Sequence, residues 1–138
     1  MPATDDGLRV RNQAVLERFF AAVSAGDLAG MAELCTGDLV AEMPYNDPPM
    51  HFESFAEYRS FVEPALELLK FTLSLDRVHA CLDPATLIAE YTSDGTAIPT
   101  GKPYRNVYIG IWRFREGRIC GLREFFNPAL TVEALTPD

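Results

Sequence analysis

The chain has 138 residues, 48% of them apolar, and a formal net charge of -8, with a sequence pI near 4.7. That length suits one domain spanning residues 1–138 with one core. The acidic balance, with no run of Lys or Arg to offset it, would repel a polyanion and argues against nucleic acid as a partner.

The chain starts Met1, Pro2, Ala3, Thr4, Asp5, Asp6, Gly7, polar and acidic rather than basic and then apolar as a secretory leader would be. No apolar run is long enough to span a bilayer, so the expectation is a cytoplasmic protein that does not enter membranes. Cys35, Cys81 and Cys120 are odd in number and widely separated, which reads as buried free thiols. His51 and His79 are the only histidines. Without paired Cys or His spacings, no metal site is expected, and no cofactor.

Val15, Leu16, Phe19, Phe20 and Val23 recur at helical spacing, so residues 8–24 read as an amphipathic helix stopped at Gly26. Asp27 caps a short second helix carrying Leu28, Met31 and Leu34 and ending near Gly37. Residues 39–43 read as a strand closed by Pro44, and residues 46–49 as a loop. Ser54 and Glu57 have the spacing of a capping box. It opens a third helix that runs to about residue 69, with Pro64 expected to bend it or end it early.

From residue 71 the period changes to two. Phe71, Leu73 and Leu75 alternate with polar residues, Asp83 and Pro84 break the run, residues 86–92 form another strand, and Ser93 to Gly95 turn or bulge it. Residues 104–115 are the longest strand, joined through Glu116 and Gly117 to a last strand over 118–126. The fold class is α+β, with helices packed on one face of a mostly antiparallel sheet. On the long strand, Tyr104, Asn106, Tyr108, Gly110, Trp112 and Phe114 share one face. Val107, Ile109 and Ile111 share the other, and an apolar outer face needs cover. A homodimer supplies it; a terminal segment is the alternative.

Two stretches carry a resemblance. FFAAVSAGD (19–27) running on through AEMP (41–44), and WRFREGRI (112–119) followed by LREFFNP (122–128), resemble the nuclear transport factor 2-like superfamily, in particular its ketosteroid isomerase-like and SnoaL-like polyketide cyclase branches. The resemblance implies a cone-shaped, curved, mostly antiparallel sheet wrapped around N-terminal helices, with an internal pocket for a small molecule. It identifies fold rather than chemistry. The isomerase apparatus is missing: the tyrosine donor aligns with Phe19, the aspartate base with Met43 and the oxyanion-hole aspartate with Gly110. Steroid isomerisation by that machinery is not expected.

The resemblance also implies facing. Phe19, Leu39, Ala41, Met43 and Tyr45 would look into the pocket, with Tyr104, Asn106, Tyr108, Trp112 and Phe114 from the long strand and Cys120, Leu122, Glu124 and Phe126 from the last. Glu124 is the only carboxylate in that set, and its apolar neighbours should raise its pKa. The run from Arg123 to Pro128 is similar to the closing motif of phenazine-biosynthesis A/B proteins and of SnoaL-like cyclases, where a carboxylate at the Glu124 position is implicated in acid/base work. Their histidine has no match on the third helix; His51 stands just ahead of it.

The candidate catalytic residues are therefore Glu124, Tyr45 and His51. The candidate substrate-binding residues are Phe19, Met43, Tyr104, Asn106, Tyr108, Trp112 and Phe126. Glu124 either shuttles a proton or pairs with Arg123, Arg105 or Arg113. His79 reads as structural, and alternation does not say whether Glu90 or Tyr91 looks inward. The expected function is a cofactor-independent cyclase or isomerase of secondary metabolism acting on a small apolar oxygenated molecule. A non-catalytic binding protein or accessory subunit is the alternative.

Overall fold

The structure, a computed structural model, describes residues 4–138; the first three residues of the acidic start lie outside it. Helix α1 (Asp5–Ala25) begins where the Thr4 hydroxyl accepts from the Gly7 amide, with Asp5 and Asp6 in its first turn, where carboxylates complement the helix dipole. It ends at Gly26, whose φ of 68° closes the helix in the left-handed region. Helix α2 (Leu28–Glu33) is capped by Asp27. It stops short of the expected end near Gly37, because strand β1 (Cys35–Met43) already starts there.

Strand β2 (Met50–Phe52) pairs antiparallel with β1. Three residues hold too short a period to read from sequence. Helix α3 (Phe55–Leu68) is capped by the Ser54 hydroxyl, which accepts from the Glu57 amide at 3.1 Å. The Glu57 carboxylate accepts from the Glu53 amide at 2.7 Å. Pro64 does not end this helix, which continues through it to Leu68, held by Tyr58, Val62 and Leu66 buried on one face.

Strands β3 (Leu69–Ala80), β4 (Thr86–Ala97), β5 (Pro103–Arg115) and β6 (Arg118–Phe125) complete one six-stranded sheet of order β2-β1-β6-β5-β4-β3. All neighbours are antiparallel except β1 and β6. The curved, unclosed sheet wraps around the helices as the cone-shaped α+β fold expected from the sequence. β4 does not turn at Ser93 to Gly95 but continues to Ala97. Gly95 is there because a Cβ would fall 1.9 Å from the Lys70 carbonyl oxygen on β3; it marks a close strand approach, not a turn. The β5–β6 hairpin turns at Glu116 (φ 51°) and Gly117 (φ 79°), the two-residue turn with both residues left-handed.

β5 alternates strictly between buried and exposed. Tyr104, Asn106, Tyr108, Trp112 and Phe114 point into the core, while Val107 and Ile109 stand 70% and 42% exposed on the outer face. On β6 the alternation slips: Phe114 pairs with Ile119 but Arg113 with Gly121. This bulge turns Ile119 and Leu122 inward and leaves Cys120, expected inside, half-buried on the other side. Helix α4 (Pro128–Leu135), not foreseen, is capped by Asn127 and closes the chain. It is latched to the β4–β5 turn, where the Thr100 hydroxyl donates to the Ala134 carbonyl at 2.5 Å and Lys102 to the Thr136 carbonyl at 2.6 Å.

Candidate active site

The helices do not fill the cone. Between α1, α3, α4 and the inner face of the sheet lies a cavity of about 600 Å³, within the range that accommodates a drug-sized molecule. α3 contributes Tyr58, Phe61, Val62 and Ala65, and α4 contributes Ala129, Thr131, Val132 and Leu135, so the C-terminal helix forms part of the wall. Phe19, Met43, Tyr104, Tyr108, Trp112, Glu124 and Phe126 also line the cavity, in the places the sequence reading gave them.

Glu124 is half-buried as a residue, and its carboxyl is withdrawn from water. Removal from water pushes its pKa up from 4.5 to about 7, against the downward pull of a hydrogen bond from Tyr91. That bond runs from the Tyr91 hydroxyl to Glu124 Oε2. Burial, reinforced by the nearby Glu124 charge, raises the phenols of Tyr91 and Tyr58 well above 10, so both keep their protons.

No arginine holds Glu124. Arg105 pairs with Asp94 at 3.0 Å and Arg123 lies over the Phe125 ring. Among the described residues no salt bridge reaches the Glu124 carboxylate or involves Arg113. The carboxyl thus sits in a water-poor cavity with one neutral hydrogen-bond donor and a pKa near neutrality, an arrangement able to accept and return a proton.

Three expected site residues stand elsewhere. Tyr45 was placed inward by counting on from Met43, but β1 ends at Met43 and the alternation ends with it; Tyr45 is 64% exposed and packs against Phe125 on the outside. His51 lies on β2 opposite Glu42, exposed, with Glu53 at 3.4 Å and Glu42 at 3.9 Å, and does not line the cavity. Asn106 points inward but is occupied: its Nδ2 donates to Tyr104 Oη at 3.1 Å and to the Asn127 carbonyl at 2.9 Å, and its Oδ1 accepts from the Val107 amide at 3.0 Å. It anchors the start of α4 rather than facing the cavity. His79, read as structural, pairs with Glu90 at 2.6 Å.

Three residues were missed. Tyr91 is fully buried and stacks on Tyr108 with ring centroids 5.1 Å apart. β4 carries apolar residues on both faces, so alternation gave no facing for it. Tyr58 lies four residues before Val62 and eight before Leu66 on the buried stripe of α3, a helical spacing that marks it as inward. Asn46 lines the cavity with its Nδ2 3.2 Å from Met50 Sδ, and nothing in a loop composition points to that.

Residues 16–122 match the SnoaL-like domain family, and the chain belongs to that family. Its relatives include the uncharacterised protein YesE of Bacillus subtilis (strain 168), 33% identical over 124 residues that make up 86% of this chain and 83% of YesE. The uncharacterised PhzA/B-like protein PA3332 of Pseudomonas aeruginosa is 30% identical over 112 residues, 80% of this chain and 79% of its own. A crystal structure of a Bacillus subtilis protein provisionally assigned as an isomerase superposes with a TM-score of 0.84 at 29% identity, covering 92% of this chain and 95% of that one. No helix among the described residues is long and apolar enough to cross a membrane.

Proposed function

We propose that this protein is a cofactor-independent acid/base enzyme, a cyclase or isomerase acting on a small apolar oxygenated molecule of secondary metabolism. Glu124 is its proton shuttle. The observation that carries this reading is the environment of that carboxyl: lining an apolar cavity, unpaired with any cation among the described residues, and held near pH 7. A general acid/base works best with a pKa near the working pH, whereas a carboxylate kept for structure is held by an arginine and titrates low. Tyr91 fixes the rotamer of Glu124 and remains a donor in either protonation state, and the aromatic wall of Phe19, Trp112, Tyr108 and Phe126 holds the substrate in a reactive conformer. The similarity to a provisionally assigned isomerase supports the same class.

The proposal drops Tyr45 and His51 from the catalytic set, since neither reaches the cavity. It keeps the cytoplasmic location, and it has the protein working as a homodimer through the outer face of β5. There Val107 and Ile109 lie exposed beside the half-buried Ile111.

The test needs no knowledge of the natural substrate. A ketone probe such as 2-decalone in deuterated buffer exchanges its α-protons when a base and an acid are placed at the carbonyl, and proton NMR follows the loss of signal. The wild-type protein should accelerate exchange, and Glu124→Gln should bind the probe but not accelerate it. Binding without exchange in the wild type would favour a non-catalytic carrier or accessory subunit.

A further inference from the structure

Tyr58, in the first turn of α3, is 6% exposed. Its backbone amide donates to the Ser54 carbonyl at 3.1 Å, and the Phe52 and Phe55 rings stand 6.0 Å and 6.3 Å from its ring by centroid, so the side chain is held in place. Its hydroxyl is not. Of the three tyrosines lining the cavity, Tyr104 and Tyr108 are hydrogen-bonded to each other at 2.8 Å, and Tyr108 also donates to Ser93 at 3.0 Å. The Tyr58 hydroxyl has the Glu124 carboxyl and the Cys35 thiol as polar neighbours and hydrogen-bonds to neither. Nor is its oxygen sealed into the protein. Among the described residues, the side-chain nitrogens and oxygens that lack both a partner and accessible surface belong to Arg9, Asn12, Thr36, Asn46 and Trp112. The unpartnered Tyr58 oxygen therefore keeps open surface, and the space that Tyr58 lines is the cavity. A buried phenol ordinarily finds a partner within the fold; this one leaves its donor to whatever enters.

The hydroxyl also stands where acid/base work needs a donor. α3 packs on β1, and β1 pairs with β6 so that Glu42 lies opposite Arg123, which brings Tyr58 toward Glu124 from the helix side of the cavity. Tyr91 reaches the same carboxyl from the sheet and is spent on Oε2. Burial and the Glu124 charge hold the Tyr58 phenol well above 10, so it remains a donor. The Cys35 thiol, pushed up to about 12 by burial, stays neutral and is a weak competitor for the hydroxyl. Among the described residues lining the cavity there is no Lys, Arg or His, so an oxygen that turns negative there has no cation to stabilise it.

We propose that Tyr58 is the oxygen-binding catalytic residue of this site, its hydroxyl donating to the substrate oxygen on which charge develops while Glu124 moves the proton. The assignment deepens the acid/base reading above and rests on it for the identity of the base. It supplies from α3 the donor that Phe19 and Gly110 do not. With a ketone, the Glu124 carboxylate takes a proton from the α-carbon, and the electron pair of the broken C–H bond moves onto the carbonyl oxygen. Tyr58 holds the resulting enolate oxygen by a hydrogen bond and keeps its own proton. Return of the proton from Glu124 to the same carbon gives exchange, and to a conjugated carbon gives isomerisation.

Tyr58→Phe removes one oxygen and no hydrogen bond of the fold, so it should unfold at the same urea concentration as the wild type. With 2-decalone carrying 13C at its carbonyl, binding to the wild type should move the carbonyl resonance downfield, as acceptance of a hydrogen bond does, and binding to the variant should not. The variant should bind the ketone about fivefold to tenfold more weakly, the worth of one hydrogen bond. Decalin, the hydrocarbon of the same shape, should bind both proteins alike. The exchange rate of the α-protons at saturating ketone should fall about 100-fold, the effect of removing one oxyanion donor.

An unmoved carbonyl resonance in the wild type, a shift that survives in Tyr58→Phe, equal losses of ketone and hydrocarbon affinity, earlier unfolding of the variant, or no binding of the ketone would each overturn the assignment. The Glu124→Gln variant separates this test from that of the acid/base reading. If the carbonyl shift needs Tyr58 in both the wild-type and the Glu124→Gln background while the wild type exchanges no ketone protons, the oxygen subsite stands and the proton-shuttle role falls. If exchange needs Glu124 but neither the carbonyl shift nor the rate changes in Tyr58→Phe, the reverse holds.

Discussion

Tyr91 on β4 reaches across β5 to donate a hydrogen bond to Glu124 on β6, and the residue of β5 that pairs with Glu124 is Gly110. The two side chains belong to strands that are not neighbours in the sheet. A side chain at Gly110 would occupy the space in which they meet. The absent Cβ is thus what couples the tyrosine to the carboxyl.

Gly110→Ala should therefore uncouple them. The new methyl would lie 2.5 Å from Trp112 Nε1 and 2.8 Å from Tyr91 Oη, closer than packed atoms tolerate, so one or both rings must move. Overpacking of this kind costs about 1–3 kcal/mol, to be read by urea unfolding. Loss of the Tyr91 hydrogen bond should also raise the Glu124 pKa further, because that bond is what lowers it.

The buried carboxyl makes stability depend on pH. In the unfolded chain a glutamate gives up its proton near 4.5, whereas in the fold Glu124 gives it up at about 7. Its contribution to the folded state is fully present below pH 4.5 and declines as pH rises through the window. It is lost above about 7. The difference amounts to about 3 kcal/mol at one pKa unit per 1.36 kcal/mol. Glu124→Gln removes the titration, so the stability of the variant relative to wild type should rise by about that amount between pH 4.5 and 7 and then level off. Paired denaturation curves across that range measure it; a flat difference would mean that the carboxyl is not buried in solution.

The outer face of β5 offers a separate test. Val107 is 70% exposed and Ile109 42%, and with the half-buried Ile111 they make an apolar run between Arg105 and Arg113 on that side. Sedimentation should give twice the 15.3 kDa chain mass for wild type and the single-chain mass for Val107→Glu combined with Ile109→Glu. The variant should keep its cavity and its ligand binding, since neither residue lines it.

The parts of this architecture that repeat along the chain were legible in its sequence. β5 alternates over thirteen residues, long enough that a period of two assigns every side chain to a face, and Trp112, Tyr108 and Tyr104 fell where alternation put them. The resemblance carried Phe19, Met43, Glu124 and Phe126 to the cavity. Legibility failed where the period was interrupted. The bulge near Cys120 shifted the β6 alternation by one, the end of β1 at Met43 released Tyr45 to the outside, and β2 was too short to show a pattern.

Tyr91 was hidden for another reason. β4 packs on both sides, with Leu87, Ala89 and Tyr91 buried inside and Ile88 and Glu90 half-buried outside, and a strand apolar on both faces carries no facing signal. The partner of Glu124 therefore became visible only from the register of β4 on β5. Asn106 shows the converse limit: its inward facing was legible, but its hydrogen bonds to Asn127 depend on a chain end whose path the sequence did not reveal.

The central claim is that Glu124 is an enclosed carboxyl poised near neutrality, and the most direct measurement is its own titration. The 13C resonance of the Glu124 carboxyl, assigned by its absence in Glu124→Gln, should be followed from pH 3 to pH 9. An inflection near pH 7 is the predicted result, leaving the group able to exchange a proton with a bound substrate at the pH of the cell. An inflection at or below 4.5 would mean a solvated or cation-paired carboxylate and would contradict the account.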